Sequence, residues 1–197
     1  MGDKLHGDGL IAHQQDIDAH MADLHQFIRT GEYHFSPRTS STDSTALVAN
    51  MLYAIPYFCA RAMTIDRLQG RVMTAAADTE ARLGIYKNGS NFYPGDLLLD
   101  AGVMSTATTG YKDIIINQSL PKGIYFIVIV SDGALTFRSM HYAYAVTDLL
   151  SLEMPPTTYV LWQVAYTYGS LPSSYPAGGA KAIMGGFLPA LRVASLD

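Results

Sequence analysis

Between Arg82 and Gly133 the chain alternates short apolar runs with turn-forming residues at close intervals. RLGIYK stops at Asn88-Gly89, and DLLLDAGV starts after Pro94-Gly95. YKDIIIN follows Thr109-Gly110, and IYFIVIVS lies between Pro121-Lys122-Gly123 and Asp132-Gly133. Glycine, asparagine and aspartate tolerate the backbone angles of tight turns, and proline presets one of them. Runs this short, punctuated this often, belong to an antiparallel sandwich or barrel of hairpins.

The same reading extends to both sides. Strands are expected near 47–55, 61–74, 80–87, 96–104, 111–118, 123–131, 135–146, 158–167 and 187–195. Pro56 interrupts one apolar run, so that strand should lie at an edge or break at a bulge. Nine strands without a helical interval fit a mainly β, jelly-roll-like antiparallel sandwich over 46–197. Tyr168 to Gly186 is long for a hairpin loop, and loops of that length in compact domains tend to carry function.

Upstream of the β region, Leu10, Gln14, Ile17, Met21, Leu24 and Ile28 are spaced four and three apart in alternation. That is a heptad seam, with Leu10, Ile17 and Leu24 at d and Gln14, Met21 and Ile28 at a. The spacing predicts an amphipathic helix ending before Gly31, and a helix this short needs a partner surface. The expected organisation is a helical stalk or anchoring segment at 1–31, a Ser/Thr/Pro-rich linker at 32–45, and the β-domain after it. His6, His13, His20, His25 and His34 crowd this region without the spacing of a metal site, so no metal is expected.

Chemistry finds little to work with. His141 is the single histidine of the β-domain and has no identifiable acid partner, and neither GxSxG nor HExxH occurs. Asp78 with Glu80, and Asp96 with Asp100, stand beside turns and do not define a glycosidase cleft. Gly178-Gly179 and Gly185-Gly186 do not lead from a strand into a helix, as a phosphate loop requires. The chain is therefore expected not to be an enzyme and to use no cofactor. A net charge of −4 without a Lys/Arg cluster argues against nucleic acid. The apolar stretch at 46–60 carries Asn50 and Pro56 and is too short to cross a bilayer. The polar N-terminus carries no secretory signal, so synthesis in a cytoplasm is expected. The single cysteine, Cys59, lies in an apolar run and reads as a buried hydrophobe. Charged residues are only 15% of the chain, and such a surface suits burial between subunits.

The wording of the strands resembles a module of bacteriophage virion proteins. RLGIY, a Pro-Gly turn, LLLDAG, a Thr-rich turn and a strand of the form LPxGxYxxxxxSDG, here LPKGIYFIVIVSDG, recur in fibre and tail-associated β-domains. IPYFCARAMTIDRLQGRV (Ile55 to Val72) and ALRVAS (Ala190 to Ser195) look like parts of the same module. The resemblance implies a structural component of a tailed-phage virion, displayed outward as a short fibre or spike. It also implies a homotrimer on a coiled-coil stalk, with Ile17, Met21, Leu24 and Ile28 carrying the contacts. The N-terminal segment would dock on capsid or tail proteins. A capsid head fibre or decoration protein is the alternative, and a free carbohydrate-binding lectin a third. If host-surface glycan is bound, exposed aromatic rings should stack on sugar. The candidates are Tyr86, Phe92 and Tyr93 around the Asn88-Gly89 turn, and Tyr168 and Tyr175 in the long loop.

Overall fold

The computed structural model describes residues 28–35, 43–139, 161–182 and 187–196. It is mainly β, built from antiparallel sheets that curl around one core. The strands are β1 (Tyr33–Phe35), β2 (Asp43–Leu47), β3 (Met51–Cys59), β4 (Met63–Thr74), β5 (Glu80–Asn88) and β6 (Pro94–Ser105). They continue with β7 (Gly110–Leu120), β8 (Gly123–Ser131), β9 (Leu135–Ser139), β10 (Leu161–Ala165), β11 (Ala180–Ala182) and β12 (Ala190–Leu196). No α-helix occurs among the described residues.

Sheet A runs β1-β12-β4-β9-β2, and β7 also pairs with β4. Val72 pairs with both Gly110 of β7 and Phe137 of β9, while Leu68 pairs with both Leu191 of β12 and Ile114 of β7. A residue in a ladder has one partner on each side. β7 therefore takes one edge of β4, and β12 and β9 share the other in succession. Sheet B runs β11-β10-β3-β8-β5-β6.

One apolar core lies between the sheets. Sheet A contributes Leu68, Val72, Phe137 and Leu191, and sheet B contributes Ile55, Leu83, Ile85, Ile127 and Ile129. Gly70 in β4 makes room for Phe187, whose ring comes within 3.1 Å of where a Cβ would sit. Phe187 then meets Phe137 edge-on, with 5.1 Å between centroids.

The strands expected from turn spacing between 80 and 131 stand within two residues of their expected limits. Pro56 does not end β3. The strand runs on to Cys59, and Pro56 stands opposite Phe126 of β8 at a point β10 does not reach, since that pairing stops at Ala54. The 32–45 linker needs correction at both ends. Tyr33–Phe35 pairs with β12, and Asp43–Leu47 pairs with β9, so both belong to sheet A. Leu10, Ile17, Met21 and Leu24 lie outside the described residues. Ile28, the last position of the expected seam, is not helical and packs against the β core. Its apolar side chain already has a partner within its own domain.

Candidate interaction surface

The five aromatic residues singled out as exposed sugar platforms go mostly inward. β8 is buried at every position from Tyr125 to Ser131, and β3 from Leu52 to Tyr57. A strand with one solvated face alternates, whereas an unbroken run is covered on both faces. Here the second cover is an irregular segment, residues 166–179, laid across the outside of sheet B. Leu171 and Tyr175 join Leu52, Ala54, Tyr86, Phe126, Val128 and Val130 in a second apolar cluster.

Gly84 is the seat of this cover. A Cβ there would lie 2.2 Å from Leu171 Cδ1 and 2.6 Å from the Leu99 carbonyl oxygen. Hydrogen bonds fix the rest. The Tyr86 hydroxyl donates to Pro172 O, Tyr175 to Leu52 O and Tyr93 to Pro176 O. The Gly179 N–H donates to the Tyr93 hydroxyl, and the Trp162 indole N–H to Phe92 O. Arg82 donates to both carboxylate oxygens of Asp100, at 2.8 and 2.9 Å, and Asp100 also accepts the Leu171 N–H. The ion pair thereby anchors the segment at the residue that fills the Gly84 seat.

Tyr86 and Tyr175 are 0% and 5% exposed, so their rings are closed to a ligand. Burial raises both phenols above the ordinary tyrosine value. Tyr86, Phe92, Tyr93 and Tyr175 are brought together: Tyr175 stands edge-on to Tyr86 at 5.7 Å and to Tyr93 at 5.5 Å, and Phe92 meets Phe126 at 5.5 Å. Tyr168 sits apart. Its N–H donates to Asn50 Oδ1 and its hydroxyl to Glu80 Oε2, and its phenol is pushed up to about 12 by burial and then by the Glu80 charge. Asp96, weighed as a catalytic carboxylate, accepts the Ser174 hydroxyl and serves the same cover. His141 lies outside the described residues.

The outer face of sheet A is a different surface. Residues opposite one another in antiparallel strands share a face. One row across the sheet reads Tyr33, Arg192, Arg67, Ile115, and the next reads Phe35, Ala190, Gln69, Asp113. Arg71 stands opposite Tyr111, with its guanidinium 5.0 Å from the centre of that ring. Asp113 accepts from the Tyr33 hydroxyl at 2.9 Å, Gln69 Nε2 at 2.8 Å and Arg67 at 3.3 Å. Arg192 grips Asp66 with two donors and holds that carboxyl below its ordinary range. Tyr33 is raised, by burial first and then by Asp113.

Around this ordered polar patch stand Ile115, Tyr111 and Phe35, 78%, 60% and 48% exposed. Arginine and tyrosine held in place beside one bare isoleucine and two exposed aromatic rings is a composition that protein–protein contacts favour. Among the described residues no group of His, Cys, Asp and Glu is placed to hold a metal ion. A groove of about 380 Å³ at the end of sheet B is lined by Lys87, Asn88, Leu98, Pro121, Gly123, Ile124 and Tyr125.

None of the sheet A residues was selected from sequence, although a signal existed. In YKDIIIN, period two sends Tyr111, Asp113 and Ile115 to one face and Ile114 and Ile116 to the other. Three consecutive isoleucines cannot all point inward. No family model and no curated protein matches the chain.

Proposed function

We propose that this chain is a structural component of a bacteriophage virion, a jelly-roll-like domain that joins the particle through the outer face of sheet A. The support is of two kinds. The strand wording from RLGIY to SDG resembles the virion module, and sheet A carries a preorganised Arg/Tyr face beside exposed apolar side chains. The observation that carries the reading is that face: Arg67, Gln69 and Tyr33 converge on Asp113, with Ile115 left bare next to them. Ordering these side chains before contact lowers the entropic cost of binding.

Within the virion reading, decoration of the particle is favoured over sugar recognition by the five aromatic residues. Tyr86 and Tyr175 hold the chain's own cover in place. The test is incorporation. Arg67→Gln with Arg71→Gln removes two half-buried positive charges from the outer face without touching the core, and circular dichroism checks that the variant folds as the parent does. Particles assembled in its presence should contain little of it by immunoblot and immunogold labelling. Full incorporation of the folded double variant would remove this face from the proposal.

A further inference from the structure

Among the described residues, β7 leaves one edge of sheet A unpaired. Among the described residues it pairs only with β4, and no other backbone hydrogen bond reaches residues 110–120. The preceding strand, β6, belongs to the other sheet and pairs with β5. Eleven residues make an edge roughly 37 Å long. Soluble proteins usually shorten such an edge, break it with proline, load it with charge or cover it. This one has no proline and only two charged residues, Lys112 and Asp113. It also carries Ile115 and Tyr111, the two most exposed large hydrophobic side chains among the described residues.

We propose that β7 pairs antiparallel with β7 of a second copy about a twofold axis at Ile115. The side chains select that register. Opposed residues must share a face, so the axis passes through a residue and the register moves in steps of two in the sum of paired numbers. With the axis at Ile115, Ile115 faces itself and Ile114 faces Ile116. Lys112 then faces Gln118, and Asp113 faces Asn117. No like charges meet, and each charged side chain has an amide opposite. With the axis at Ile114, Lys112 would face Ile116 and Asp113 would face Ile115. With the axis at Ile116, Lys112 would face Leu120 and Ile115 would face Asn117. Of these three, only the Ile115 axis matches apolar with apolar and polar with polar from Lys112 to Gln118. The pairing deepens the virion reading, on which it rests for its purpose, because the dimer presents two Arg/Tyr faces as one doubled sheet.

The experiment uses the full chain. Sedimentation equilibrium should give a dimer, twice 21.4 kDa. Ile115→Lys sets lysine against lysine, and it should give monomer at concentrations where the parent is dimeric. Directly opposed Cα atoms in an antiparallel pair lie about 4.5–5.5 Å apart, within reach of a disulfide. Ile115→Cys should therefore cross-link to its own copy under mild oxidation, with native Cys59 buried and out of reach. Asn117→Cys should not, because its own copy stands roughly 13 Å along the strand. A monomeric or trimeric parent, a dimer unchanged by Ile115→Lys, or Asn117→Cys linking as readily as Ile115→Cys would each overturn the pairing. A monomer that still enters particles would overturn the pairing and leave the virion reading standing. A dimer absent from particles would do the reverse.

Discussion

Gly84 offers the most direct test of how the outside of sheet B is closed. In Gly84→Ala the new methyl would lie 2.2 Å from Leu171 Cδ1 and 2.6 Å from the Leu99 carbonyl oxygen. Carbon atoms in good contact stand about 3.5–4.0 Å apart, so both neighbours must retreat by about 1 Å or more. Leu99 O is backbone in the partner strand, beside the register shift at Leu83/Gly84, and yields little. Leu171, now 6% exposed, must leave its seat. Exposing a leucine costs about 1.5–3 kcal/mol, and residual crowding costs about 1–3. Alanine recovers about 0.4–1 kcal/mol by stiffening the unfolded chain. The net loss is about 2–5 kcal/mol, or a fall in Tm of about 5–15 °C for a protein of this size. Urea titration followed by fluorescence measures it, and the sole tryptophan, Trp162, reports from inside the same layer. Leu171→Ala alone should cost about 2–4 kcal/mol. Because both changes act on one contact, the double variant should cost at least about 1 kcal/mol less than the sum. Strict additivity, or a cost below about 0.5 kcal/mol for Gly84→Ala, would refute the seat.

Tyr175→Ala should destabilise the fold by about 3–5 kcal/mol, as large buried aromatic truncations do, whereas Tyr175→Phe should cost about 1 by losing the hydroxyl's hydrogen bond to Leu52 O; a thermal melt separates them. Burial pushes the Cys59 thiol from 9.0 up to about 11, so its thiolate fraction at pH 8 should fall about a hundredfold. Labelling by iodoacetamide should then be slow until urea unfolds the chain, and fast labelling of the native protein would contradict the burial. The Arg192 guanidinium holds the Asp66 carboxyl below its ordinary value, so the pair stabilises above that value and its contribution fades as pH falls through the folded one. Asp66→Asn should lower the urea midpoint only slightly at pH 7, as the loss of a surface ion pair does, and flatten its decline below about pH 5. An unchanged acid limb would show that the pair contributes nothing.

What could be read from sequence followed the turns. Pro94-Gly95, Thr109-Gly110, Pro121-Lys122-Gly123 and Asp132-Gly133 bound β6, β7 and β8 because proline and glycine act locally, whatever packs above them. β1 and β11 were missed because three residues carry too little pattern to count. Asn50, at φ 59°, separates β2 from β3 in a turn that an apolar run conceals. The aromatic residues were legible as a group but not by direction. Nothing in the wording of residues 166–179 says that Leu171 finds a glycine across the sheet, and a tyrosine in a long loop reads the same whether it faces water or protein. The sheet A face was hidden for the opposite reason. Its members come from β1, β4, β7 and β12, and only the tertiary pairing places them in rows.

The place of β12 in sheet A bears on how the chain can be made. It lies between β1 and β4, filling the edge of β4 from Met63 to Gln69. A ribosome delivers residues 63–69 more than a hundred residues before 190–196. During that interval β4 can gain β7 on one edge and β9 at Val72–Thr74 on the other, but Met63–Gln69 on that second edge stays uncovered, and β1 waits with no strand to join. The strands β3, β5, β6 and β8 of sheet B are all delivered by residue 131, whereas sheet A waits for residues 190–196. Pairings this distant in sequence are slow to form and leave an adhesive edge exposed in the meantime. Yield during rapid expression should therefore depend on how long that edge goes uncovered, and lower temperature should help by slowing association between half-made chains.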